Sequence, residues 1–206
     1  PTRDTRDLTL PCVRSLGGDD VRCVVVDNAS SDGTAEALAS DHAEVTVVRN
    51  AENAGFARAC NQGARAGSAE FVLFLNSDTV ADPGAVDRLA DFLRDHGDYV
   101  AAGARLVDVG TRRTQVGFTV RAFPTLSTQV ALMLGFERLW PGNPVSRRQL
   151  MLDFDHERTQ EAEQPAGACL MCRRDALEVI GGFDEEFHYW FEDVDLALRL
   201  HQAGLT

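Results

Sequence analysis

The sequence predicts an α/β fold, a mixed, mostly parallel sheet flanked by helices, on three observations. Strand-like apolar runs alternate with helix-like segments through the first hundred residues. Residues 71–75 form a continuous apolar run bounded by polar residues, the pattern of a strand covered on both faces as in a parallel sheet. Clusters of Asp, Asn and Ser follow directly on two of the strand-like runs, and in such folds ligands bind beyond the carboxyl ends of the strands.

The elements follow in order. Residues 21–26 read as a short buried strand, ended by the turn- and cap-rich run Asp27-Asn28-Ala29-Ser30-Ser31-Asp32-Gly33-Thr34. A helix is predicted over 34–41, a strand over 45–48, a loop over 50–55 and a helix over 56–66 closed by Gly67. The apolar strand 71–75 leads into Asn76-Ser77-Asp78. Pro83 stands where a first helical residue belongs, and Val86, Leu89, Ala90, Phe92 and Leu93 give 84–95 an amphipathic pattern. A strand is expected over 99–104, then irregular structure and short helices over 105–165, without a separate domain. Residues 167–172 read as a strand, 174–180 as a helix ended by Gly181-Gly182, and 193–203 as a helix ended by Gly204. The expectation is one domain over 1–206, with halves at 1–104 and 105–206.

Composition narrows the function. The 206 residues suffice for one core, and no stretch is apolar for long enough to span a bilayer, so a soluble protein is expected. A net charge of −12 argues against a nucleic-acid partner, whose phosphates demand clustered positive charge. Cys12, Cys23, Cys60, Cys169 and Cys172 lie mostly in apolar runs, which suits free thiols in a reducing compartment, the cytoplasm. Cys169 and Cys172 form a C-x-x-C, but a strand would turn them to opposite faces and no second pair accompanies them.

Four constellations carry chemistry. Asn76-Ser77-Asp78-Thr79 ends the apolar strand: Asp78 supplies the carboxylate a hard divalent cation wants alongside substrate phosphates, Asn76 a carbonyl and Ser77 a hydroxyl, although the same residues also make ordinary turns. Glu192-Asp193-Val194-Asp195 opens a helix, where acids cap the exposed amides and Asp195 is placed to pair with Arg199. Phe183, Phe187, His188, Tyr189, Trp190 and Phe191 crowd ahead of it, as an acceptor pocket in which rings stack on sugars or as core. Asp27 and Asn28 are placed to bind a base or ribose, with Ser31 or Asp32 capping the next helix. Asn53 to Asn61 combines the permissive Gly55 with Arg58, which faces a phosphate or solvent.

In this order the segments resemble the inverting family-2 glycosyltransferases with the GT-A (nucleotide-diphospho-sugar transferase) fold, and among them the bacterial rhamnosyltransferase-like branch. The run from Val24 to Thr34 resembles the first nucleotide loop, Asn53 to Asn61 the N-x-G-F-A-x-A-x-N segment, and Phe74 to Thr79 a variant D-x-D box with Asn76 in the first acidic place. Gly167-Ala168-Cys169-Leu170-Met171, Gly181-Gly182-Phe183-Asp184-Glu185 and Glu192-Asp193-Val194-Asp195-Leu196 resemble the acceptor half. The resemblance implies Asp27 and Asn28 near base and ribose, Asp78 on a Mg²⁺ or Mn²⁺ ion, Ser77 or Asn76 beside ribose and diphosphate, and Asp193 as general base. His188, Trp190 and Glu192 fall in the acceptor region. It also implies a dTDP- or UDP-sugar donor, a glycan or lipid-linked acceptor in cell-wall or polysaccharide synthesis, and peripheral association with the inner membrane face. Pro1-Thr2-Arg3-Asp4 resembles the end of a P-T-Y-N element, so the first strand and the C-terminal closing segment are expected to be missing. The competing class is a nucleotide-sugar-binding module without turnover. A sugar-nucleotide pyrophosphorylase would need a Gly-rich basic loop near the N-terminus, and none is found.

Overall fold

The computed structural model describes every residue except Asp19, His188, Tyr189 and Thr206, and all side chains of the regular elements except that of Glu137. In chain order the elements are α1 (Arg6–Ser15), β1 (Val24–Asp27), α2 (Thr34–Asp41), β2 (Thr46–Arg49), α3 (Phe56–Arg65), β3 (Phe71–Leu75), α4 (Ala85–Asp95), β4 (Ala101–Gly103), β5 (Val120–Arg121), α5 (Leu126–Met133), α6 (Phe136–Leu139), α7 (Pro144–Gln149), β6 (Gln164–Pro165), β7 (Cys169–Arg173), α8 (Arg174–Ile180) and α9 (Glu192–Gln202). They form two compact units, 1–102 with 167–206, and 103–166.

In the first unit β1 and β2 pair in parallel from Val24 opposite Thr46 to Asp27 opposite Arg49. Thr2 extends this layer: its N–H donates to Val26 O and its carbonyl accepts from Asn28 N, each at 2.9 Å. The apolar run β3 pairs antiparallel with β7, Leu75 opposite Cys169, and β4 lies on the other side of β7. A run of five apolar residues reports burial and not strand direction, so the parallel reading of 71–75 gives way to a mixed sheet.

Helices cover these layers. Phe74, Leu170, Phe183, Leu196 and Leu200 form one core, in which Phe183 meets Phe74 edge-to-face at 4.8 Å. Val13, Val25, Leu38 and Val45 form a second. Each fully buried leucine among them contributes about 1.5–3 kcal/mol. Arg173 clamps the sheet, donating from Nε to Tyr99 O at 3.0 Å and from its terminal nitrogen to Leu93 O, with its guanidinium over the Phe71 ring.

Three local expectations are corrected. Helix α1 has no counterpart in the sequence pattern, because Pro11 inside it removes a backbone donor and interrupts the helical signal; buried Thr9, Cys12 and Val13 hold it in place. Pro83 precedes α4 and does not begin it, since Gly84 at φ +71° turns the chain between them. The strand expected from residue 21 begins at Val24 instead.

The second unit has three short helices, as expected for 105–165, but it also has a two-stranded antiparallel pair, β5 with β6, and is compact by itself, neither of which the weak periodicity implied. A reciprocal Thr125–Thr128 capping box starts α5, and buried Asn143 caps α7 by accepting from Val145 N at 3.1 Å and Ser146 N at 3.0 Å.

Candidate active site

The site is built in the first unit, at the carboxyl ends of β1 and β3. Asp27 ends β1 with its side chain buried, accepting from the Ser30 amide at 3.3 Å and from the Ser30 hydroxyl. Asn28 is buried beside it: Nδ2 donates to Gly55 O at 3.2 Å and Oδ1 accepts from Asn50 at 2.7 Å. Its side chain therefore fixes the loop after β1 to the loop before α3. The loop is also held from the N-terminal side, where Asp4 accepts from Ser31 N at 2.7 Å and the Asp4 amide donates to Ser30 Oγ at 3.0 Å. Asp32 is the capping acid; it accepts from Arg6 N and Thr34 N, so one carboxylate serves the first turns of α1 and α2, and the Thr34 hydroxyl with these amides lowers its pKa. Ser31, the other candidate cap, faces Asp4 instead.

A cluster of three threonine hydroxyls leads from β1 to the loop after β3. Thr2 Oγ1 lies 2.8 Å from Thr5 Oγ1 and 2.6 Å from Thr9 Oγ1, and Thr5 Oγ1 lies 3.4 Å from Ser77 Oγ. The Asn76 carbonyl accepts from Thr79 through both its amide and its hydroxyl, closing the turn that presents Asp78. Asp78 is exposed, and among the described residues no hydrogen bond or ion pair engages its carboxylate.

From that turn the linkage continues to Asp193. The Asn76 amide donates to Ala168 O at 3.0 Å, and the neighbouring Gly167 amide donates to Asp193 Oδ2 at 3.1 Å. Asp193 stands in the first turn of α9, its Oδ1 accepting from Val194 N at 2.8 Å. Gly167 is required by proximity: a β-carbon there would stand 2.8 Å from Asp193 Cβ. The Asp195–Arg199 pair forms as expected, at 2.7 Å.

The other expected residues are placed differently. Asn53 accepts from Gly55 N at 3.1 Å in a local turn. Arg58 is exposed on α3 with Nε 3.8 Å from Glu185 Oε2, directed at a carboxylate. Glu192 buries Oε2 without a hydrogen-bond partner, and burial raises its pKa, with Asp193 adding to the shift. Trp190 is 78% exposed, and it and Phe191 both adopt left-handed φ, 70° and 71°, a strained pair directly before Glu192. Phe183 belongs to the core, and His188 lies outside the described residues. Two residues to which the sequence assigns no role prove structural to the site, Gly167 and Asn61. Buried Asn61 donates to Phe183 O at 2.8 Å and accepts from Phe183 N at 2.9 Å, tying α3 to the Gly181-Gly182-Phe183 turn. Its signal is a polar residue inside an otherwise apolar helix face, matched by Gly182, where a β-carbon would meet Asn61 Oδ1 at 2.5 Å.

Among the described residues no three His, Cys, Asp or Glu side chains gather as a metal cage. A Mg²⁺-type ion does not require one, since it keeps waters and takes one or two carboxylates with substrate phosphates, and the unengaged Asp78 fits that pattern. Cys60 and Cys172 are buried thiols whose pKa values burial pushes up to about 12, so both are inert under ordinary conditions.

Buried Asp27 at the end of β1, exposed Asp78 after β3 and Asp193 in the first turn of α9 are the three carboxylates of this region. Residues 1–181 match the family described as glycosyl transferase family 2, and the chain belongs to that family. It is 31% identical over 200 residues, 89% of its length, to the N-acetylglucosaminyl-diphospho-decaprenol L-rhamnosyltransferase of Mycobacterium tuberculosis, and spans 62% of that protein. Its fold is the GT-A fold: it superposes on S. aureus TarS 1-349 with a TM-score of 0.64 and 19% identity, covering 97% of this chain and 52% of that one. The mannosyltransferase PcManGT from Pyrobaculum calidifontis, solved with GDP-Man and Mn²⁺, gives a TM-score of 0.58 and 19% identity over 90% of this chain and 46% of that one.

Proposed function

We propose that the chain is the catalytic domain of an inverting, metal-dependent glycosyltransferase that moves a hexose, rhamnose by its similarity, from a dTDP- or UDP-sugar to a glycan or lipid-linked acceptor hydroxyl. The nucleotide-binding half is 1–104 and the acceptor-binding half 105–206. The observation that carries this reading is the chain of contacts between the three regions: Thr2 bonds the residues on either side of Asp27 and reaches Thr5, Thr5 reaches Ser77, and the adjacent pairs Asn76 with Ala168 and Gly167 with Asp193 are hydrogen-bonded. Asp27, Asp78 and Asp193 thereby stand on segments that these contacts connect.

In the proposed reaction Asp27 and the loop pinned by Asn28 bind the base and ribose, and Ser77 meets the ribose or diphosphate. Asp78 holds the divalent cation, which when bound offsets charge on the departing diphosphate. Asp193 accepts the proton of the acceptor hydroxyl, and its two backbone amide donors fix its orientation. The acceptor oxygen forms a bond to the anomeric carbon as that carbon's bond to the diphosphate oxygen breaks, in one displacement that inverts configuration. Trp190 and Glu192, with His188, flank the acceptor. A cell-wall or surface-polysaccharide acceptor at the cytoplasmic face of the membrane accords with the lipid-linked substrate in the relative's name.

Asp193→Asn tests the assignment. Transfer is expected to fall at least 10²-fold, the lower end of general-base contributions, while nucleotide affinity stays within about twofold. Equal loss of transfer and nucleotide binding would sink the assignment of the base.

A further inference from the structure

The loop after β1 is anchored by two residues outside the set of carboxylates. Asn50 is the first residue after β2, and parallel pairing brings it beside the end of β1, where Asp27 stands opposite Arg49. It binds both residues there: its amide N donates to Asp27 O at 2.8 Å and its side-chain Nδ2 donates to Asn28 Oδ1 at 2.7 Å. Gln62 reaches Asn50 from α3 through a reciprocal pair, Asn50 Nδ2 to Gln62 Oε1 at 2.9 Å and Gln62 Nε2 to Asn50 Oδ1 at 3.0 Å. Gly63, the next residue, lets the helix lie against β1: a β-carbon there would already touch Val26 Cγ2, at 3.4 Å.

The residue types suit the task. Asn50 supplies two hydrogens from one nitrogen and a carbonyl beside it; an aspartate has no donor and a serine has one. Gln62 both donates and accepts, which an ionised glutamate does not do. Where packing alone is needed, apolar side chains fill the gap between two strand ends and a helix, whereas an amide network with every oxygen and nitrogen paired fixes one geometry. The network also engages both ends of Asn28, which is 5% exposed and whose Nδ2 donates to Gly55 O at 3.2 Å. Asn53 and Arg58, also between β2 and the end of α3, are engaged instead with the Gly55 amide and with Glu185. The influence of this segment on the loop after β1 therefore runs through Asn50 and Gln62.

We propose that Asn50 and Gln62 are positioning residues of the nucleotide site: acting through Asn28, they hold the loop after β1 in the shape that receives the base, and neither touches the nucleotide. The proposal rests on the reading of Asp27 and its loop as the base and ribose site.

Two measurements on the intact protein test it, with Gln62→Met, which keeps the side chain's length and forms none of its hydrogen bonds, and with Asn50→Ala. The first is hydrogen–deuterium exchange without ligand. Peptides covering 27–34 and 49–56 should exchange about tenfold faster or more in both variants, while those covering 71–75 and 169–173 keep the parent's rate. The second is calorimetric titration with UDP, dTDP and GDP in the presence of Mn²⁺, at about 20 °C below the melting temperature of every variant, where a loss of global stability alone does not weaken binding. The nucleotide that binds the parent should bind each variant about tenfold more weakly, because the competent loop shape becomes a minority of the population. Adding Gln62→Met to Asn28→Ala should cost no more than about twofold beyond Asn28→Ala alone, since both act through one network.

Unchanged exchange of 27–34 in Gln62→Met would overturn the proposal whether or not a nucleotide binds. Faster exchange with nucleotide affinity within about twofold of the parent would overturn it too, as would losses that multiply in the double variant. A parent that binds none of the three nucleotides would overturn the reading on which the proposal rests, and the exchange rates then still decide whether Asn50 and Gln62 hold the loop.

Discussion

Replacing Gly167 by alanine puts a carbon atom 2.8 Å from Asp193 Cβ and 3.3 Å from Asp193 Oδ2. Carbon atoms rest at about 3.5–4.0 Å, so relief requires a shift of roughly 1 Å between β7 and the first turn of α9. No left-handed backbone is involved, and the effect is purely steric. Overpacking of this kind costs about 1–3 kcal/mol, which for a chain of this size lowers the melting temperature by about 2–12 °C. A displacement of about 1 Å of a catalytic group costs about 10²-fold in turnover. The assay is steady-state transfer with saturating donor, alongside nucleotide titration. The expected pattern is a kcat lower by about 10²-fold, nucleotide affinity unchanged, and no further loss when Gly167→Ala is added to Asp193→Asn. Turnover within about twofold of the parent would refute the argument that Gly167 sets the position of Asp193, the proposed base.

Two other outcomes follow from the same geometry. Asn61→Ala strips both bonds to the Phe183 backbone and the 3.0 Å bond to Glu185, leaving a buried amide and carbonyl unpaired; thermal or denaturant unfolding should show a loss of about 3 kcal/mol. Glu192→Gln should stabilise the protein at neutral pH by about 1 kcal/mol, a rise of about 2–4 °C. The sign follows from its raised pKa: the native state holds the Glu192 proton more tightly than the unfolded chain, so stability declines as pH rises through the native pKa, and the glutamine removes that decline. Melting curves across the acid-to-neutral range check it, and a variant less stable than the parent at neutral pH would show that Glu192 has a charged partner.

Local order in the fold is legible where pattern and chemistry agree. Helix α2 and helix α8 match their expected spans because cap-rich turns or glycines bound them, and β3 matches because five apolar residues between polar ones admit few alternatives. Pairing is less legible. Nothing in Phe71–Leu75 states that its neighbour runs antiparallel, since direction is set by the distant β7. Helix α1 is hidden by Pro11, whose cost is met by tertiary burial of Thr9, Cys12 and Val13. At the site, the carboxylates are visible by residue type and position after strands. The groups that hold the surrounding segments are not: Thr2, Thr5, Asn61 and Gly167 act through backbone approach and buried hydrogen bonds, which have no sequence period.

The placement of Asp78 as the carboxylate for a divalent ion and a sugar nucleotide is tested most directly by melting the protein with UDP, dTDP or GDP, with and without Mn²⁺ or Mg²⁺. One of the nucleotides should raise the melting temperature only when metal is present, by an amount that grows with ligand concentration, and Asp78→Asn should abolish the metal-dependent part. No metal-dependent stabilisation by any of the three, or full stabilisation retained by Asp78→Asn, would contradict the account.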